Sequence, residues 1–201
     1  MRKLLIATRN KGKFLEIKKA LKGRPFELLG LDAVKKIPKN FKVKETGKNF
    51  RENAILKAKI FAKKTGFLTL ADDSGLEVDA LAGRPGIYSS RYAEGTDKER
   101  CLKLLQEMKN IPDKKRASQF RCVIAIFDSR TKKLTTCKGI CKGKITKKPK
   151  GDHGFGYDSI FYLPKLKKTM AQLRSFQKNA FSHRGKALRK AKNDLEKFLI
   201  A

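Results

Sequence analysis

Apolar residues recur along the chain in two rhythms, one of strands and one of helices. Leu4-Leu5-Ile6-Ala7 makes Lys3–Thr8 a short buried strand that runs into the polar stretch Arg9-Asn10-Lys11-Gly12-Lys13. Phe14, Ile17 and Leu21 then return on one helical face, and Gly23 and Pro25 end that helix. Phe26–Leu29 suits a second strand. The clearest helix is Asn49–Lys64, where Phe50, Ala54, Ala58, Phe61 and Ala62 form an apolar stripe and lysines cover the remainder. Gly66 ends it, and Phe67–Ala71 reads as a buried strand. A loop-rich centre follows, from Ala71 to Leu76 and again from Gly83 to Tyr88. Thr96 caps a helix reaching about Asn110. Ala117–Asp128 is β-rich, with Leu134–Cys141 and Lys144–Thr146 as hairpin partners. Gly151–Asp158 reads as a glycine-bearing loop and Ser159–Leu163 as a strand. Ser182 begins a last helix whose Leu188, Ala191, Leu195 and Phe198 face the core. No repeat, low-complexity tract or Pro/Gly-rich linker divides the chain. Residues 1–201 are therefore expected to form one α/β domain, a mixed twisted sheet flanked by helices.

Length and composition narrow the class. With 201 residues, 40% of them apolar, the chain can bury a substantial core and is not a disordered tail. The longest apolar runs, such as Val123–Phe127, are far short of a bilayer span. The amino terminus breaks at Arg9 before a signal-peptide core could form, so a soluble cytoplasmic protein is expected. Cys101, Cys122, Cys137 and Cys141 show neither a CxxC pair nor a zinc spacing with His153 or His183, and read as reduced, packed side chains. Charge is the unusual feature. Fifty Lys and Arg against nineteen Asp and Glu leave +31, a field that attracts polyanions.

Three places carry candidate chemistry. At the first, a strand feeds a polar turn and then a helix, an arrangement that offers free N–H groups and a positive dipole end to a phosphate. Thr8, Asn10 and Lys13 add a hydroxyl, an amide and a cation there, although the GK[ST] ending of a Walker loop is missing. A solvated turn that merely caps the helix fits the same residues. At the second, Asp72-Asp73-Ser74-Gly75 follows an apolar strand. Adjacent carboxylates suit Mg²⁺, which takes one or two protein carboxylates plus substrate phosphates, and such a carboxylate can also activate water. An Asx-type turn closed by Ser74 and Gly75 is the plainer reading. At the third, Phe155-Gly156-Tyr157-Asp158 can stack on and read a nucleobase, while His183 and Arg184 can donate to a carbonyl or a phosphate. His183 could equally be an ordinary helix-start residue. No arrangement gives a covalent nucleophile.

Taken together, these pieces form a nucleoside triphosphate site, and the set resembles the inosine/xanthosine triphosphate pyrophosphatases, which act on noncanonical purine nucleoside triphosphates. The resemblance runs from Leu5–Glu16 through Glu45-Thr46-Gly47, Glu52–Ala58, Ala71–Leu76, Gly83–Tyr92 and Gly154–Asp158 to Ser182–Leu188. It implies two lobes around a central nucleotide-binding cleft. It also implies hydrolysis of ITP, dITP and XTP between the α and β phosphates, giving the monophosphate and pyrophosphate, by a Mg²⁺-dependent homodimer. Thr8, Arg9, Asn10, Lys11, Gly12 and Lys13 would hold the triphosphate. Asp73 would bind Mg²⁺ and activate water, supported by Asp72, and Ser74 would touch substrate. Phe155, Gly156, Tyr157, Asp158, Lys178, His183 and Arg184 would form the base and ribose pocket.

The chain departs from the family pattern in two places. Where two acidic residues often precede Thr-Gly it has Lys44-Glu45, leaving Glu45, or no residue, as the second metal carboxylate. Residues 159–193 hold ten Lys or Arg and no acid. The related Maf-like pyrophosphatases have signatures not found here. The rival from another class is a basic nucleic-acid-binding protein on the same fold. The nine Lys or Arg between Ser129 and Gly151 support it, but the lysines are spread over every helix and form no single stripe.

Overall fold

The computed structural model describes residues 1–199. Strand β1 (Arg2–Ile6) runs parallel to β2 (Phe26–Gly30), pairing Leu4 with Leu28, and to β3 (Leu68–Val78), pairing Leu4 with Leu68. A strand with parallel neighbours on both sides has both faces covered, which explains its unbroken apolar run. Strands β4 (Ala117–Phe127), β5 (Leu134–Ile145), β6 (Phe161–Leu163) and β7 (Lys168–Thr169) extend the sheet in the order β2-β1-β3-β4-β5-β6-β7. β5–β6 and β6–β7 are antiparallel, so the sheet is mixed as expected.

Helix α1 (Lys11–Leu21) begins at Asn10, whose side chain accepts the Lys13 N–H at 2.9 Å. Helix α2 (Phe50–Thr65) begins at Asn49, which accepts the Glu52 N–H at 3.0 Å, and it stops at Gly66 with φ of 76°. Helix α3 (Asp97–Glu107) starts with the capping box of Thr96 and Glu99. Helices α4 (Ser175–Phe181) and α5 (His183–Glu196) close the chain.

The structure corrects two readings. β3 does not stop at Ala71 but continues through Asp72-Asp73-Ser74-Gly75, residues whose turn propensity is overridden by strand pairing. β5 is one twelve-residue strand, not two segments. Gly143 permits this, because a Cβ there would lie 2.5 Å from the Tyr162 carbonyl oxygen on β6. β7 and α4, too short for a clear period, carry no sequence signal.

The chain falls into two compact units. The first comprises Met1–Asp73, Cys122–Gly139 and the chain from Gly185 onward. Its core includes Leu4, Ile6, Ile17, Leu70, Ile124 and Leu188. The second comprises Ser74–Arg121 and Ile140–Arg184, around Leu76, Leu104, Phe120, Ile145, Phe161 and Met170. All four cysteines are buried thiols.

Candidate active site

In the first unit, Asp72 and Asp73 lie side by side in β3. Successive strand side chains leave from opposite faces, and the two carboxylates accordingly have different partners. Asp72 meets Lys13 Nζ of α1 at 3.1 Å. Asp73 Oδ1 meets Lys57 Nζ of α2 at 2.9 Å, and the same ammonium reaches Glu45 Oε1 at 2.7 Å. Asn53, one turn before Lys57 and wholly buried, joins the same parts. Its Nδ2 donates to Asp73 Oδ2 at 3.3 Å, while its Oδ1 accepts the Gly47 N–H at 2.8 Å. A Cβ at position 47 would lie 2.7 Å from that Oδ1, so only glycine lets Glu45-Thr46-Gly47 pass this close to α2.

Burial pushes the Asp73 carboxyl above its ordinary value, against the pull of Lys57 and Lys13. Burial alone would lower Lys57. Asp73, Asp72 and Glu45 outweigh it, and the ammonium is held above its usual range. Neither Asn53 nor Lys57 was singled out from the sequence, although their four-residue spacing on one face of α2 was readable as a pair of polar groups flanking an apolar stripe.

The amino-terminal turn is built as a cap. Thr8 Oγ1 accepts the Asn10 N–H at 3.2 Å, and Arg9 pairs with Asp32 at 2.7 Å and with the Pro38 carbonyl. Lys11 and Gly12 open α1, where first-turn amides face outward along the helix dipole.

In the second unit, Phe155, Gly156, Tyr157 and Asp158 form a tight loop. Asp158 Oδ2 accepts from the Phe155 N–H at 3.0 Å and from Lys178 Nζ at 2.6 Å. Gly154, with φ of 85°, is required, since a Cβ would come 2.1 Å from that same oxygen. Lys178 Nζ lies 4.4 Å and the Arg184 guanidinium 5.5 Å from the centre of the Phe155 ring. Arg184, almost fully buried, donates to Ser74 Oγ at 2.8 Å. His183 stacks on Phe120 with ring centres 4.6 Å apart. Thus the residues expected from Phe155 to Arg184 gather in one cluster with Ser74, and those from Lys13 to Asp73 gather in another with Glu45.

Among the described residues, no three His, Cys, Asp or Glu side chains come together as a metal-binding group. A Mg²⁺ ion needs fewer, because it commonly uses one or two carboxylates with phosphate oxygens and water. Glu45 and Asp73 fit that demand. Each places an oxygen within 3 Å of one and the same cationic atom, Lys57 Nζ, so a single centre of positive charge already satisfies both.

Similarity to known proteins runs along nearly the whole chain. A family model described as the Ham1 family matches residues 4–194. The dITP/XTP pyrophosphatase of Desulforamulus reducens is 44% identical over 200 residues, with 98% of each chain covered. The enzyme of the same name from Geobacter sulfurreducens is 46% identical over 197 residues, with 97% of each covered. The solved structure of a HAM1 protein from Coxiella burnetii matches with a TM-score of 0.88 at 39% identity, over 98% of this chain and 100% of that one. With a model match over nearly its full length and relatives this similar from end to end, the chain belongs to the Ham1 family.

Proposed function

We propose that this protein hydrolyses noncanonical purine nucleoside triphosphates, ITP, dITP and XTP, to the monophosphate and pyrophosphate, clearing deaminated purines from the nucleotide pool. The observation that carries the reading is the Glu45–Asp73 carboxylate pair held on one lysine, in a chain whose relatives are named dITP/XTP pyrophosphatases. The second cluster supports the purine assignment, and the outward amides of α1 with Lys13 support the triphosphate assignment.

In the reaction, water attacks the α-phosphorus, the bond to the bridging oxygen breaks, and pyrophosphate departs with that oxygen. Asp73 accepts the water proton. Its raised carboxyl suits that task, since a base works best when its pKa lies closer to the working pH. Asn53 and Lys57 hold the Asp73 oxygens in place, so little reorganisation accompanies the transfer. Lys13 and the α1 amides neutralise charge gathering on the leaving pyrophosphate. Glu45 and Asp73 would hold Mg²⁺, which when bound supplies positive charge against the phosphate chain. Phe155 offers a face for stacking. Arg184 has further N–H donors beyond the one given to Ser74, and such a group donates to the 6-keto oxygen of hypoxanthine or xanthine but meets an adenine amino group donor to donor. Thr8 to Gly12, Lys178 and His183 complete the proposed contacts. A homodimer and a cytoplasmic location belong to the same reading. Among the described residues no helix is long and apolar enough to cross a membrane.

Pyrophosphate release across a nucleotide panel, with and without chelator, tests this. ITP and XTP are expected to exceed ATP and GTP, chelator to abolish turnover, and Asp73→Asn to lower kcat by about a thousandfold, within the range for loss of a general base. Faster turnover of ATP or GTP, or turnover indifferent to chelator, overturns it. Light scattering of the purified protein tests the dimer.

A further inference from the structure

We infer that Asp97 and Cys101 of α3 are positioning residues for purine recognition, clamping the Gly156 backbone so that Phe155 is presented at a set angle. The inference rests on the proposal that the Phe155–Asp158 loop receives the base. Asp97 Oδ2 accepts the Gly156 N–H at 2.6 Å, and Cys101 Sγ donates to the Gly156 carbonyl at 3.4 Å. Four residues apart, the two side chains share one face of the helix, and they take hold of both peptide groups that flank Gly156. Gly156 itself has φ of 65°, in the left-handed region, so its peptides need external partners to hold that orientation.

Each arm of the clamp is fixed in turn. Arg100 donates to the other Asp97 oxygen, Oδ1, and is itself tied to the Gly95 carbonyl at 2.9 Å. Asp97 also stands in the first turn of α3, where the helix dipole favours a carboxylate. Burial raises the Cys101 thiol to about 11, which keeps its proton in place for donation. On the far side of Phe155, Asp158 holds the Phe155 N–H, and the Tyr157 hydroxyl donates to the Ser89 carbonyl at 2.9 Å. Within the loop Tyr157 and Asp158 are buried, whereas Phe155 is half-buried and leaves ring surface accessible. The loop is thus braced on both sides of the one aromatic group available for stacking. α3 itself carries none of the carboxylates assigned to the phosphate chemistry, so variants at Asp97 and Cys101 are expected to act on base binding.

Steady-state kinetics with ITP, following IMP formation, test this in Asp97→Ala, Asp97→Asn, Cys101→Ala and Phe155→Ala. Loss of one charge-assisted hydrogen bond predicts that Asp97→Ala raises KM for ITP about tenfold while kcat changes less than about twofold. Asp97→Asn keeps an acceptor oxygen for the Gly156 N–H and should recover most of that loss. Inhibition by pyrophosphate, which carries no base, should be the same in every variant. A KM unchanged in Asp97→Ala overturns the clamp, as does a loss shared equally with pyrophosphate inhibition, which would mark a general structural defect. Should Asp97→Ala fail to fold, Cys101→Ala decides. Its KM is expected to rise about threefold, in line with a weak neutral hydrogen bond, and an unchanged KM counts against the clamp. Phe155→Ala separates the two levels. If it leaves KM untouched, the base assignment of the loop is wrong. If it weakens ITP while the α3 variants do not, the assignment stands and the clamp falls.

Discussion

Lys57 stands between Glu45 and Asp73 with its ammonium within 3 Å of both. Burial works against the charge on Lys57 and on Asp73, and the attraction between the ammonium and the carboxylates offsets that cost, while Glu45 adds to the rise at Asp73. The pH dependence follows. As the proposed base, Asp73 would act as its carboxylate, so activity is expected to rise as pH climbs through its pKa. Because that value is raised, the acid limb of kcat/KM should lie above the ordinary Asp range. Lys57 lowers the Asp73 value, so Lys57→Met should move the limb to higher pH, with a fall in kcat beside it. A limb that stays in place in the variant would remove Asp73 as the titrating base. Asp73 was legible in the sequence, since two carboxylates after an apolar strand in so basic a chain invite a role. Lys57 was not, because its spacing from Asn53 is a weak signal among the several lysines of α2 until folding brings Glu45 and Asp73 to its tip.

At the level of elements, the hydrophobic periods located β1, α1, β2, α2, α3, β4 and α5 within a few residues. They failed where local chemistry and pairing disagree. Asp-Asp-Ser-Gly favours a turn in isolation, yet it is strand in β3 because its backbone groups find partners in the sheet. Arg116 is a second case, an arginine that no local pattern would place in a core. It is almost fully buried, and its guanidinium donates to the carbonyls of Ile145 at 2.8 Å, Met108 at 2.7 Å, Ile111 at 3.2 Å and Thr146 at 2.9 Å. It therefore joins the end of β5 to the chain that follows α3. Burial holds its pKa below the ordinary arginine value. Arg116→Met would leave four carbonyls without that donor and should lower unfolding free energy by about 3–5 kcal/mol. Arg116→Lys should recover little, since an ammonium lacks the planar fork. Chemical denaturation of both variants is the check, and a loss under about 1 kcal/mol for Arg116→Met would show that those carbonyls find water instead.

Over the whole molecule the net charge is +31, and the proposed substrate is a polyanion. Such a field raises the encounter rate of anionic ligands and weakens as salt screens it. Raising salt from about 20 to 200 mM at constant free Mg²⁺ should reduce kcat/KM for ITP roughly tenfold, mostly through KM, by loss of this steering. A flat profile would mean the lysines serve only solvation. Composition, apolar rhythm and ordered motifs were enough to place this chain among α/β proteins and to nominate Asp73, Lys13, Phe155 and Arg184, because those signals are local and survive without a fold. Which groups share a carboxylate, why Gly47 and Gly143 admit no side chain, and how Asp97 comes to hold Gly156 depend on residues tens of positions apart. Long-range pairing and close packing set those distances, and no local pattern encodes them.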